Sequence, residues 1–241
     1  MGAVSSEVLG DRADALRAAY GGYDSLALLQ AMIEEVFPGR IAVTSSFGAE
    51  AAVLLDLVSQ VDRATPVIFL ETGKLFPETI DYAADLVTHL GLTDVRVRYP
   101  ESGDVEILDA DSQLWRRNPD LCCYVRKVTP LQAALHGFDA CVTGRKRFHQ
   151  GARGKTEVIE VLNGRIAINL LANWTHDAVR AAFVVRGLPE HPLRAQGYAS
   201  IGCSTCTRRI AVGEAIRDGR WSGIAKTECG IHLPQVAEGA A

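Results

Sequence analysis

No stretch of this sequence approaches the uninterrupted apolar length of a membrane span, and residues 1–22 lack the basic segment followed by an apolar one that marks an export signal. Positive charge is in deficit as well. The 25 Lys and Arg face 29 Asp and Glu, and the net charge of −4 argues against a general nucleic-acid or membrane surface. There is no internal repeat and no low-complexity linker. These absences lead to the expectation of a cytoplasmic protein with no nucleic-acid and no membrane partner, its homo-oligomeric state left open. In a reducing cytosol disulfides are rare, so cysteine pairs are expected to bind metal or to do catalysis. The chain has 241 residues, 48% of them hydrophobic, enough to bury a full core.

The six cysteines are unevenly placed. Four form close pairs, Cys122–Cys123 and Cys203–Cys206, which folding would bring together as four thiolates for a tetrahedral zinc or an iron–sulfur cluster. Cys229 stands alone in Glu228-Cys229-Gly230-Ile231-His232, on a short polar tail, placed to react rather than to pack. Cys141 falls in the apolar run Ala140-Cys141-Val142 and is read as a buried core thiol. Basic residues cluster near these sites: Arg126-Lys127, Arg145-Lys146-Arg147, Arg208-Arg209, and Arg217 with Arg220. Their position around the cysteines favours a local anion pocket over a solvated face.

The periodicity alternates strand and helix. Asp24 or Ser25 caps a helix with Leu29, Met32, Ile33 and Val36 on one stripe, ended by Pro38-Gly39. Strands are expected at 40–44, 66–70, 95–99 and 138–143, with a helix over 49–60. Pro77 opens another helix, with Ile80, Ala84, Val87 and Leu90 spaced for its buried face. Such alternation implies a parallel, twisted sheet with helices on both faces. Asn163-Gly164, between runs 158–162 and 165–169, is a type I′ hairpin signal. Thr175 caps a last helix stopped by Gly187, and the chain becomes irregular after His191. The reading is one structural unit: a nucleotide-binding α/β part over 1–190, and a C-terminal extension over 191–241 carrying the second cysteine pair and the tail.

The first strand runs into Ser45-Ser46-Phe47-Gly48-Ala49-Glu50 and a helix, an arrangement suited to phosphate. The second ends in Glu71-Thr72-Gly73-Lys74, and a later one in Thr143-Gly144-Arg145. All three loops would line one crevice at the carboxyl ends of the strands.

These residues, with Leu75-Phe76-Pro77-Glu78-Thr79, Gly202-Cys203-Ser204-Thr205-Cys206 and the Glu-Cys-Gly-Ile-His tail, resemble the assimilatory sulfonucleotide reductases across nearly the whole chain. Within that family both cysteine pairs mark the iron–sulfur branch, whose members resemble adenosine 5′-phosphosulfate reductase. The resemblance implies an adenine-nucleotide α-hydrolase-like fold and a [4Fe–4S] cluster on Cys122, Cys123, Cys203 and Cys206. Adjacent side chains diverge along a helix or strand, which suits two separate irons better than one zinc. The resemblance makes Cys229 the nucleophile, forming an S-sulfocysteine that thioredoxin or a glutaredoxin-like dithiol resolves with release of sulfite. It implies substrate contacts from Ser46, Gly48, Thr72, Gly73, Lys127, Gly144, Arg145, Arg217, Arg220 and His232. Lys127 would link cluster and substrate, while His232 and the arginines would lower the Cys229 pKa against Glu228. Gly230 and the nine residues after His232 would form a closing tail. His149 and Glu71 depart from the residues common in the family.

Three other readings stay in view. One is a reductase of the 3′-phosphorylated nucleotide, or of both nucleotides. Another is an ATP pyrophosphatase-type transferase, whose Ser-Gly-Gly-x-Asp-Ser loop is not matched by Ser46-Phe47-Gly48-Ala49-Glu50-Ala51. The third is a zinc-stabilised binding module, which leaves Cys229 and the phosphate loops without a role.

Overall fold

A computed structural model describes residues 5–232. Helix α1 (Ser6–Tyr20) precedes α2 (Ser25–Gln30), capped by Asp24, whose carboxylate accepts the Ala27 N–H at 2.9 Å. A π-helical stretch (Ala31–Val36) continues α2 until Phe37, and Gly39 follows in the left-handed region at φ 68°. Then come β1 (Ile41–Ser45), α3 (Ala51–Val61), β2 (Val67–Leu70), α4 (Pro77–Leu90) and β3 (Val95–Arg98). Short helices α5 (Ser102–Leu108), α6 (Leu114–Arg117), α7 (Pro119–Cys123) and α8 (Thr129–Ala134) lead to β4 (Ala140–Thr143). The hairpin β5 (Ile159–Leu162) and β6 (Arg165–Asn169) precedes α9 (His176–Val185).

The six strands form one sheet in the order β3-β2-β1-β4-β6-β5, parallel except for β5 against β6. Its central strands are buried on both faces, which is why they read as apolar runs. Alternation along β1 shows the two layers. Ile41 and Val43 face the larger core with α1 to α4 and α9, while Ala42 joins Ile68, Cys141 and Ala167 against Leu131 and Leu135. Each fully buried Ile or Leu in these layers contributes roughly 1.5–3 kcal/mol. The chain leaves β1 outward through β2 and β3, then returns to place β4 on the other side of β1. That reversal opens a crevice at the carboxyl ends of β1 and β4.

The parallel sheet, its helical cover and the hairpin match the sequence expectations. Asn163 (φ 50°) and Gly164 (φ 73°) both turn left-handed, as a type I′ turn requires. The buried face of α4 matches in part, since Leu90 is buried and Val87 packs on the core. Ile80 and Ala84 are exposed, and the core stripe is Thr79, Tyr82, Ala83, Leu86 and Leu90. The Tyr82 hydroxyl donates to the Pro189 carbonyl at 2.9 Å, so the ring is buried with its polar tip satisfied and rotates the helix by one position. The postulated closing tail after His232 lies outside the described residues.

Candidate active site

One pocket occupies the crevice between the ends of β1 and β4, walled by Ser46, Gly48 and Glu50, by Gly144, Arg145 and Lys146, and by Ser200 to Gly202. Phe47 takes φ 47°, a strained conformation for a bulky residue, with its ring fully buried edge-to-face on Phe69 at 4.8 Å. Gly48 follows because a Cβ there would meet the Ile201 carbonyl oxygen at 3.1 Å. The glycine lets the segment before Cys203 close against the loop. Of the residues expected to contact substrate, Ser46, Gly48, Thr72, Lys127, Gly144, Arg145, Arg217, Arg220 and His232 line this pocket. Gly73 stands behind it at φ 68°, packed against the Arg126 guanidinium. The Thr72 hydroxyl accepts the Lys74 N–H at 3.2 Å and lies 3.3 Å from Cys203 Sγ, so it faces sulfur.

Helix α7 carries the adjacent cysteines, Cys122 and Cys123. Asn118 caps it by accepting the Leu121 N–H at 3.0 Å, and Pro119 starts it. A π-helical turn (Tyr124–Val128) then carries Arg126 and Lys127. Positions four apart share a face, so Cys122 points with Arg126 and Cys123 with Lys127. Opposite them, Cys203 opens a short 3₁₀ turn (Ser204–Cys206) pinned by Ser204, whose N–H and hydroxyl both donate to the Lys74 carbonyl at 2.8 and 3.0 Å. Burial and the charges of Cys203 and Cys206 push the Cys122 thiol up to about 11. None of the six cysteines is in a disulfide, and Cys141 is the buried core thiol expected. Among the described residues no three His, Cys, Asp or Glu side chains converge on one point. Geometry alone therefore names no metal, and the matter rests on donor chemistry: Cys122 lies near enough to Cys203 and Cys206 to feel their charge, and Cys123 packs with Cys206 and Cys229.

Cys229 is not isolated on a free tail. It is 6% exposed and packs with Cys123, Trp221, Cys206 and Ile231, because Ile231 seats in the apolar layer beside Leu131 and Leu135. The Cys123 thiol donates to the Cys229 sulfur, and with Lys127, the Ile231 N–H and Arg220 this holds Cys229 well below the ordinary thiol range against the effect of burial. Burial opposes a charge on Lys127, yet the sulfurs of Cys203, Cys229 and Cys123 keep it well above the ordinary lysine range. Burial first, then Arg153, brings the His232 imidazole down to about 3, which works against the cationic role expected for it. Glu228 does not oppose the thiolate either, since Arg153 (2.5 and 3.0 Å) and Arg217 (3.3 Å) neutralise it.

Six cations wall the pocket: Lys127, Arg145, Lys146, Arg153, Arg217 and Arg220. Arg145 pairs with Glu160, Lys146 with Glu50 at 3.1 Å, and Arg153 and Arg217 share Glu228. Lys127 and Arg220 have no carboxylate partner among the described residues. Arg220 lies over the Trp221 ring at 4.5 Å, with its Nε buried and unbonded. The remaining basic clusters serve the fold. Arg126 is buried between Asp109 (2.7 Å) and the Thr72 carbonyl, Arg147 reaches Glu157, and Arg208 pairs with Glu214 on the surface. Arg153 and Trp221 escaped the sequence reading, and Glu50 entered it only as part of the phosphate loop, since their approach to the site depends on folding and not on spacing. His149 Nε2 lies 3.0 Å from Glu50, and its Nδ1 lies 3.4 Å from Arg153 Nη1. Its Nε2 therefore carries the proton donated to Glu50.

Residues 40–209 match the phosphoadenosine phosphosulfate reductase domain. The chain is 46% identical over 222 residues to the adenosine 5′-phosphosulfate reductase of Mesorhizobium japonicum, covering 92% of this chain and 87% of that one. It is 39% identical over 201 residues to the phosphoadenosine 5′-phosphosulfate reductase of Gloeobacter violaceus, covering 81% and 83%. The crystal structure of phosphoadenylyl-sulfate (PAPS) reductase from Candida auris, a phosphate complex, superposes with a TM-score of 0.71 at 28% identity, covering 86% of this chain and 100% of that one. With more than half its length matched and its fold shared, the chain belongs to the phosphoadenosine phosphosulfate reductase domain family.

Proposed function

We propose that this chain reduces adenosine 5′-phosphosulfate to sulfite and AMP in cytoplasmic sulfate assimilation, through an S-sulfocysteine on Cys229. The observation that carries the reading is the setting of Cys229. A shielded sulfur beside the anion pocket faces Lys127 and Arg220, the two pocket cations with no carboxylate of their own among the described residues. Relatives named for this reaction share nearly the whole chain. The Cys229 thiolate attacks the sulfur of the phosphosulfate. A bond forms between the two sulfurs, the sulfur–oxygen bond breaks, and AMP leaves with the electron pair. Lys127, Arg217 and Arg220 are positioned to stabilise charge growing on the leaving phosphate. A dithiol protein of the thioredoxin or glutaredoxin type then attacks Cys229 Sγ, sulfite departs, and its second thiol resolves the mixed disulfide. Both electrons come from that partner.

Cys122, Cys123, Cys203 and Cys206 fit a [4Fe–4S] cluster: four thiols on a helix end and the facing turn, three of them buried and all outside any disulfide. When bound, the cluster supplies charge and structure beside Lys127. A Cys123 ligating as thiolate has no S–H to donate, so the cationic neighbours and the Ile231 N–H then hold the Cys229 thiolate.

An anaerobic sulfite assay with each sulfonucleotide and thioredoxin tests the reading. Turnover is expected with the parent chain and none with Cys229→Ser, because serine lacks the soft thiolate. Iron, sulfide and a brown colour, lost together in Cys203→Ser, are expected in place of colourless zinc. Turnover by Cys229→Ser overturns the nucleophile, and zinc without iron overturns the cluster.

A further inference from the structure

The reaction above gives Glu228 of the tail motif no task. Its side chain is 3% exposed and lies outside the pocket wall, behind Arg153 and Arg217, which are in it. Its two oxygens take four donors. Oε2 accepts from Arg153 Nε at 2.5 Å, while Oε1 accepts from Arg153 Nη2 at 3.0 Å, Arg217 Nη2 at 3.3 Å and the Cys229 N–H at 2.9 Å. One buried carboxylate thus ties two pocket arginines to the backbone of the nucleophile. Without it the two guanidiniums would face each other at close range in a buried site, and Arg153 already contributes, after burial, to pulling Arg217 down to about 10.

We propose that Glu228 is a positioning residue that couples the anion-binding arginines to Cys229, so that an anion held by Arg153 and Arg217 sets where the nucleophile sits. The inference rests on the functional reading above. It excludes the simpler idea of Glu228 as an internal competitor for the substrate site, since the carboxylate lies behind the guanidiniums. Glu228→Gln therefore has a split signature. The arginines gain uncompensated charge and hold the anion as well or better, so KM stays or falls. Cys229 loses its register with them, so kcat falls tenfold or more.

The test uses the full chain purified anaerobically. The rate of iodoacetamide alkylation at Cys229, mapped by peptide mass, is measured with and without AMP plus inorganic sulfate. In the parent the pair is expected to change that rate threefold or more. In Glu228→Gln, with AMP binding retained by calorimetry, the response is expected to vanish. Glu228→Asp keeps the charge but ends one methylene short, and it is expected to fold and bind AMP while losing most of the response; it serves if the Gln variant does not fold. A parent rate that ignores the anions, a variant that responds like the parent, or a KM rise matching the kcat loss overturns the coupling. Absence of sulfonucleotide turnover in the parent overturns the functional reading instead.

Discussion

At the scale of single residues, cysteines and glycines were legible in the sequence but charge partners were not. Gly202 shows why. A Cβ on it would lie 2.2 to 2.7 Å from three atoms of the Arg220 guanidinium, so the glycine exists to let that arginine lie flat between chain and pocket. Gly202→Ala is expected to drive Arg220 off the site and forfeit a charge-assisted contact of about 1.5–3 kcal/mol, raising KM roughly tenfold to a hundredfold. Melting measured in parallel should move little, and an unchanged KM would refute the assignment. Glu50 illustrates what spacing cannot reveal. Burial works against its charge, but His149 and Lys146 bring its pKa from 4.5 down to about 2. The folded value lies below the unfolded one, so the stabilisation is complete above about pH 4.5 and fades as pH falls toward 2. It is worth about 3 kcal/mol on that shift. Glu50→Gln is expected to show a flatter loss of stability than the parent between pH 6 and pH 3 in urea unfolding. Parallel acid limbs would remove Glu50 from the account.

Whole elements read well where one period ran long enough. Strands β1, β2 and β4, the capped helices α2 and α9, and the hairpin all carried local signals that tertiary packing then used. Helices α5 and α6, of seven and four residues, are too short to show a period, and Asn118 and Pro119 part α6 from a single helical run over 119–134 whose register the π-helical turn between α7 and α8 shifts. Helix α1 offered only Leu9, Ala13 and Leu16 as a buried stripe, too thin to stand out beside Gly10 and its charges. The hairpin turn gives a test at this scale. Asn163 holds φ 50°, and its side-chain amide donates to the Ile231 carbonyl at 3.4 Å, so the turn also touches the tail. Asn163→Ala and Asn163→Gly both delete the amide, but only alanine meets the left-handed penalty of roughly 1–2 kcal/mol. The alanine variant is expected to melt about 2–4 °C or more below the glycine variant. Equal melting points would show that the turn conformation is not what Asn163 supplies.

For the molecule as a whole, a net charge of −4 conceals a cationic pocket, and the distribution of its partners bears on which nucleotide is used. Relatives carry names for both the plain and the 3′-phosphorylated substrate, so the discrimination has to be argued from this chain's own charges. The motif resemblance commits none of Arg126, Lys146 and Arg147 to a role. Each proves to be held: Arg126 by Asp109, Lys146 by Glu50, and Arg147 by Glu157. Of the three only Lys146 lines the pocket, and a 3′-phosphate that drew it away from Glu50 would strand a buried charge. Lys127 and Arg220 lie beside the cysteine sulfurs and serve the reacting phosphosulfate end of the substrate. The unmet contact corresponds to about 1.5–3 kcal/mol, or roughly tenfold to a hundredfold. We therefore expect kcat/KM for adenosine 5′-phosphosulfate to exceed that for the 3′-phosphorylated form by at least about tenfold, with both assayed anaerobically at one salt concentration. Equal values would mean that one of these ion pairs opens in the complex, and a reversed preference would mean that the pocket was built for the heavier nucleotide.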